Sequence, residues 1–228
     1  MYLLLASVIC FGALVVCVTR PDLRGVVVRA GWVGAVIEAV SEAWYLQDYW
    51  QPLTLLPWPT PEDLLYGFGV TALAACAVPF WLNCQYEPSQ DANRKWGLAT
   101  TLALGFGLTM TTAERFHLVP SIWVATLIFL VFGLVACLLR RDLWWAGATA
   151  GGIMGIVTLI GYGAGLNFVI DGGPFLNRVL LIAGTHWDIR VLGNIPLDEI
   201  AWNVTRGWCI ATLYPLLTAQ RLVRRPWK

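Results

Sequence analysis

PTPEDLLY at 59–66 and NIPLDEIAW at 194–202 are the two stretches that decide how this chain folds. Each sets a pair of acids behind a proline where an apolar segment begins, and proline with acids in the first turn marks the start of a helix. In both, the first acid (Glu62, Asp198) is followed by a second acid, an aliphatic residue, one further residue and an aromatic (Tyr66, Trp202). A proline then lies 17 positions beyond the first acid in each case, at Pro79 and Pro215. A second echo runs upstream, where FGALVVCVTRPDL (11–23) reads like FGLVACLLRRDL (132–143) with one residue dropped. The spacing predicts an internal duplication.

Composition fixes the solvent. Apolar residues make up 58% and charged residues 13%, about half the roughly 25% of an ordinary soluble domain, and mean hydropathy is +0.66. An integral membrane protein is expected, with the lipid bilayer as its first partner. A net charge of +1 and two small arginine clusters give no grip on a phosphate backbone, so nucleic acid is excluded as a partner. Six cysteines lie mostly inside apolar runs with no CxxC and no clustered His, which points to neither a disulfide framework nor a zinc site.

At about 20 residues per crossing, seven segments are long enough to span: 1–19, 26–46, 62–82, 96–113, 118–139, 143–164 and 197–219. The first lacks a basic flank and a small-x-small site, so it reads as a retained helix. PFLNRVLLIAG at 174–184 is too short to span and reads as an interfacial or re-entrant piece. With the amino terminus outside, Arg20, Arg24, Arg29, Arg94, Lys95, Arg140, Arg141, Arg221, Arg224, Arg225 and Lys228 share one face, against Arg115, Arg178 and Arg190 on the other. That asymmetry predicts a multi-pass protein of the cell membrane with a cytoplasmic carboxyl terminus. The expected fold is therefore all-α, with about seven transmembrane helices in two parallel three-helix repeats joined by a linker helix. The first repeat covers 1–82, the linker 83–117 and the second repeat 118–228. Parallel repeats enclose a cavity, across which the two doublets are expected to face each other.

The duplicated three-helix unit, closed by a helix that opens with proline and paired acids, resembles the integral-membrane carotenoid (lycopene) cyclases in their fused two-domain form. The family pattern is proline, any residue, then two glutamates. Here the second copy reads Pro196-Leu197-Asp198-Glu199, and the first sets Pro61 directly before Glu62 and Asp63. The resemblance implies an intramolecular lyase or isomerase-type enzyme that cyclises the end of lycopene or a related polyene without redox change or cofactor. Its catalytic residues would be Glu62, Asp63, Asp198 and Glu199.

The chemistry suits these residue types. Ring closure needs a proton delivered to a terminal double bond, stabilisation of a tertiary carbocation and removal of a different proton. A carboxyl group in an apolar site holds its proton more readily, and a second carboxylate beside it strengthens the effect. Acids in a first turn are also ordinary caps, but intramembrane acids are functional by default. Glu38 and Glu42 fall one turn apart on the second helix, and Arg206 shares a stripe of the last helix with Glu199 and Asn203. At that depth Arg206 needs a carboxylate partner, expected among Glu38, Glu42 and Glu199. Glu38, Glu42, Tyr66, Trp202, Asn203 and Arg206 are thus candidate supporting or substrate-binding residues. Aromatic faces attract a carbocation, but among 13 Trp and 7 Tyr only Tyr66 and Trp202 follow an acid by one turn. Trp44, Tyr45, Tyr49, Trp50, Trp58 and Trp187 read as an interface belt.

GYGAG (161–165) and the two GFG stretches (67–69, 105–107) lie in membrane helices, without the strand before and acid after that a dinucleotide fingerprint requires. His117 and His186 are single loop residues, so no metal site is expected. Lys95 and Lys228 are the only lysines, and neither is placed to form a retinal Schiff base. Two other readings stay open: a membrane terpene cyclase acting on a prenylated substrate, and a proton-coupled small-molecule transporter or binding protein.

Overall fold

In the computed structural model the described residues are all except 1, 53, 55, 57, 90–94, 117–118, 166–170 and 226–228. Arg94, His117 and Lys228 lie outside them. The described chain forms eight α-helices: α1 (Tyr2–Thr19), α2 (Arg24–Asp48), α3 (Pro61–Trp81), α4 (Trp96–Phe116), α5 (Ser121–Leu139), α6 (Trp144–Ala164), α7 (Gly172–Val179) and α8 (Leu197–Leu217). Seven of them fall on the seven predicted segments, and α7 falls on the short apolar stretch.

Four are long and apolar enough to cross a membrane: α1, α3, α5, and α6 with the turn that precedes it. Two of the other long helices, α2 and α8, carry charged groups that the bundle buries. Glu38 and Glu42 of α2 and Asp198 and Arg206 of α8 are all under 5% exposed. On α4, Thr101, Thr109 and Thr112 bond carbonyls one turn back. The expectation of an all-α chain is also modified by two small antiparallel sheets, β1 (Cys84–Pro88) with β4 (Gln220–Arg224) and β2 (Arg190–Val191) with β3 (Ile195–Pro196).

The echo between the halves extends into backbone detail. Helices α1 and α5 each end in an arginine followed by a 3-10 turn, Pro21–Leu23 and Arg141–Leu143. Helices α3 and α8 are both 21 residues long. After each comes a residue with left-handed backbone, Asn83 (φ 48°) and Ala219 (φ 56°), and then a strand. Those strands pair about Tyr86 and Leu222, the third residue of each. Arg20 donates to the Cys84 carbonyl at 2.7 Å, and Arg140 to the Gln220 carbonyl at 2.7 Å. Both carbonyls belong to the first residue of a strand, so each arginine pins the strand of its own half. Asp22 ties the halves together through Arg20 (3.1 Å) and Arg225 (2.6 Å). Burial pushes the Asp22 carboxyl up, but the hydrogen bonds and charge of Arg20, with the charge of Arg225, outweigh it and hold it below its usual range.

Helices α3 and α8 meet at the centre, with α1 and α2 on α3 and α5 and α6 on α8. Helix α4 covers the seam between α2 and α5, setting Phe106 against Trp44 and Phe129. The tightest approach is α2 on α3. A Cβ on Gly34 would meet the Gly67 carbonyl at 2.4 Å, and one on Gly67 would meet the Gly34 carbonyl at 2.5 Å. Backbones this close need small residues on both sides. Gly34→Ala is therefore expected to destabilise by at least the roughly 1–3 kcal/mol typical of overpacking, because the new methyl would meet the Thr71 side chain as well as the Gly67 main chain. Gly105→Ala on α4, with nothing within 4 Å of the new methyl, is expected to be neutral to stabilising. Denaturation midpoints of the two variants check this, and equal midpoints would contradict it.

Candidate functional site

At the end of the bundle opposite β1 and β4, residues of both halves converge on a cavity of about 30 Å³, room for roughly one water molecule. Helix α2 supplies Glu38, Glu42 and Tyr45 with Tyr49 at its C-cap, spaced so that all four fall on one stripe. Helix α8 supplies Glu199 and Trp202, α3 supplies Tyr66 and α6 supplies Tyr162.

Each carboxylate has a different environment. Glu38 is paired with Arg206 at 2.9 Å, so the predicted carboxylate partner of that arginine is found. The same Nη2 donates to Thr71 Oγ1 at 2.9 Å. The guanidinium carbon sits 4.5 Å from the Trp202 ring centroid, within cation–π reach. Trp202 stacks on Tyr66 (6.3 Å, 18°) and donates its indole N–H to Tyr45 at 3.3 Å. Glu199 accepts from Tyr49 at Oε1 and from Tyr162 at Oε2, both at 2.9 Å. Glu42 is 1% exposed, and neither of its oxygens accepts a hydrogen bond of good geometry.

The doublets divide. Of their four acids only Glu199 lines the cavity, so they do not face each other across it as expected. Asp63 closes a capping box, accepting from the Thr60 backbone N–H (3.1 Å) while its own N–H donates to Thr60 Oγ1 (3.2 Å). Its other oxygen accepts from the Tyr2 hydroxyl at 2.9 Å. Threonine followed three residues later by an acid is a helix-start signature, and that structural role occupies the group. Glu62 and Asp198 are buried, at 1% and 2% exposed, away from the lining. Asn203 turns back on its own helix, donating to the Glu199 carbonyl at 3.0 Å.

Five of the six aromatics assigned to an interface belt pack inside, Trp44 and Trp187 among them, both partly buried against the central cluster. Tyr45 and Tyr49 are buried, and Trp50 is partly buried against the same cluster. The α2 stripe that contains Glu38 and Glu42 runs straight on to Tyr45 and Tyr49, and that continuation was the available signal. Tyr162 was passed over inside GYGAG. Yet the RPDL and RRDL echoes put α2 and α6 in register, and in that register Tyr162 stands where Glu42 does. Tyr2, near the start of the chain, had no signal at all.

No protein-family model matches the chain, and neither a curated protein nor a solved structure matches it.

Proposed function

We propose that the protein is a membrane-embedded, cofactor-free cyclase for the end group of a linear isoprenoid polyene, lycopene or a related carotenoid. The observation that carries the reading is the convergence of Glu38, Glu42 and Glu199 on one cavity walled by Tyr45, Tyr49, Tyr66 and Trp202. A carboxyl group protonates the terminal double bond, the resulting tertiary cation is attacked by the next double bond, and a second carboxylate takes up a proton. The bonds made and broken balance without electron exchange, so product and substrate are isomers.

Hydrogen-bond partners suggest the division of roles. Glu38 is matched by Arg206, and Glu199 receives two hydroxyl donors. A buried carboxylate with no well-placed donor is costly, and Glu42 has neither a cation nor a hydroxyl on it, which makes it the group suited to carry the proton and Glu199 the one suited to receive it. The aromatic faces hold the cation between those steps. A cavity this small must widen before an end group fits.

The seven-span arrangement of two parallel three-helix repeats, with α4 as linker, is part of the same proposal. It is supported by the shared helix lengths, strand positions and arginine clamps, and by the pairing of β1 with β4 about equivalent residues. In this arrangement the arginine-rich end, with the carboxyl terminus, faces the cytoplasm. One observation favours a second substrate class, a prenylated molecule bearing oxygen. The Tyr45 hydroxyl at the cavity accepts from Trp202 and keeps its own proton to donate, which a pure hydrocarbon cannot use. A transporter fits less well, because the acids gather at one end of the bundle and not midway along it.

Expression in a host that accumulates lycopene, followed by turnover of preformed unlabelled lycopene by its isolated membranes in heavy water, tests the reading. Cyclic product carrying deuterium in the new ring is expected, with a reporter fused to the carboxyl terminus reading as cytoplasmic. Unchanged lycopene, together with no product from prenylated substrates supplied to membranes, would reject the cyclase. A strict need for flavin or nicotinamide would reject this mechanism.

A further inference from the structure

We infer that Tyr49 and Tyr162 are positioning residues that aim the Glu199 carboxylate and so determine which ring isomer the enzyme releases. This rests on the cyclase reading and adds to it the residues that control product identity. The geometry is a two-point clamp. Tyr49 donates to Oε1 and Tyr162 to Oε2, each at 2.9 Å. Tyr49 caps the end of α2 and Tyr162 projects from α6, so the two donors reach Glu199 from different helices.

Two fixed donors matter because the terminal torsion of a glutamate is broad. Held at one oxygen, the carboxylate can turn about that bond. Held at both, its plane is set, and the lone pair left on each oxygen has a fixed direction. Asn203, bonded to the Glu199 carbonyl, stiffens the helical turn below.

That direction bears on chemistry because the ring-closed cation offers more than one neighbouring C–H bond. In the final step one such bond breaks, its electron pair becomes the ring double bond and the proton passes to a Glu199 oxygen. Which C–H lies within reach fixes where the double bond appears. Displacement of a reacting group by about 1 Å is enough to change rates by around a hundredfold, and the competing C–H bonds, on the carbons that flank the cationic carbon, lie only two bonds apart. Removing one hydroxyl releases one side of the carboxylate and lets it swing toward the remaining donor.

The test is Tyr49→Phe and Tyr162→Phe, each of which removes one oxygen and retains the ring. Each variant is expected to change the ratio of ring isomers and to lower kcat by roughly tenfold, the equivalent of about one hydrogen bond, with KM little altered. A purely structural role would lower the yield of folded protein without moving the isomer ratio. Infrared difference spectra between wild type and Glu199→Gln isolate the Glu199 carboxylate bands, and both variants are expected to shift them, whatever the protein does to polyenes. Unshifted bands would overturn the clamp itself. Shifted bands with an unchanged isomer ratio would overturn the role in product choice. If the wild type forms no ring at all, the cyclase reading falls and the product role falls with it, while the spectra still judge the clamp.

Discussion

Glu42→Gln and Glu199→Gln are each expected to lower ring formation by about 10² to 10⁴-fold, the usual contribution of a positioned acid or base, in a protein that still inserts and folds. The amide keeps the shape of the side chain and loses the transferable proton. Glu42 makes no hydrogen bond of good geometry, so its replacement breaks none. At Glu199 the amide oxygen can still accept from one tyrosine. The informative comparison is with the remaining acids of the doublets. Asp63→Asn disturbs a capping box, which typically costs about 0.5–2 kcal/mol, and is expected to lower stability more than turnover. Glu62→Gln and Asp198→Asn lie off the cavity and are expected to retain much of the activity. Product analysis beside a thermal unfolding midpoint for each variant separates the cases. Loss of activity in Glu62→Gln and Asp198→Asn, with Glu42→Gln fully active, would return the chemistry to the doublets.

Arg206→Met is expected to be among the most destabilising single substitutions in the chain, by about 3–5 kcal/mol, as for other buried pairs with one partner removed. Arg206 and Glu38 are 2% and 4% exposed, so the glutamate left behind has little water to turn to. Thr71 loses its donor as well, and the Trp202 ring loses the cation on its face. Removing both charges as Glu38→Gln with Arg206→Met is expected to recover a large part of the loss, because no uncompensated charge remains. Unfolding of the two single variants and the double variant forms a cycle that isolates the pairwise energy. Strict additivity would show that the two charges do not support each other.

Much of the fold was legible because a long apolar run reads as a helix, whether or not it is also long and apolar enough to cross a membrane, as four of the seven are. All seven long helices were located, and the paired prolines and acids placed the starts of α3 and α8. Strands β1 and β4 were not foreseen. Each is five residues long, and they pair across most of the chain, so nothing local marks them. Within the site, charge spacing was the readable part: Glu38, Glu42 and Arg206 were identified because a charge in an apolar helix demands a partner. Repetition of the doublets did not bring them to one cavity, because such acids also mark helix starts, and the capping role of Asp63 depends on the Thr60 hydroxyl. The tyrosines were lost in a crowd, since an aromatic near a membrane boundary has an ordinary explanation whether or not it faces inward.

The register between α2 and α6 sets Glu42 of one half opposite Tyr162 of the other, and Glu38 opposite Thr158. Two identical subunits related by a two-fold axis could not do this. Such a dimer would carry glutamate at both positions, with mutual repulsion and one of the two hydroxyl donors to Glu199 lost, or tyrosine at both, with no carboxyl group in the place of Glu42. Joining the halves in one chain removes the obligation to be alike. In the proposed reaction one half then serves as the source of protons and the other as their destination, a division of labour that a symmetric assembly has no means to encode.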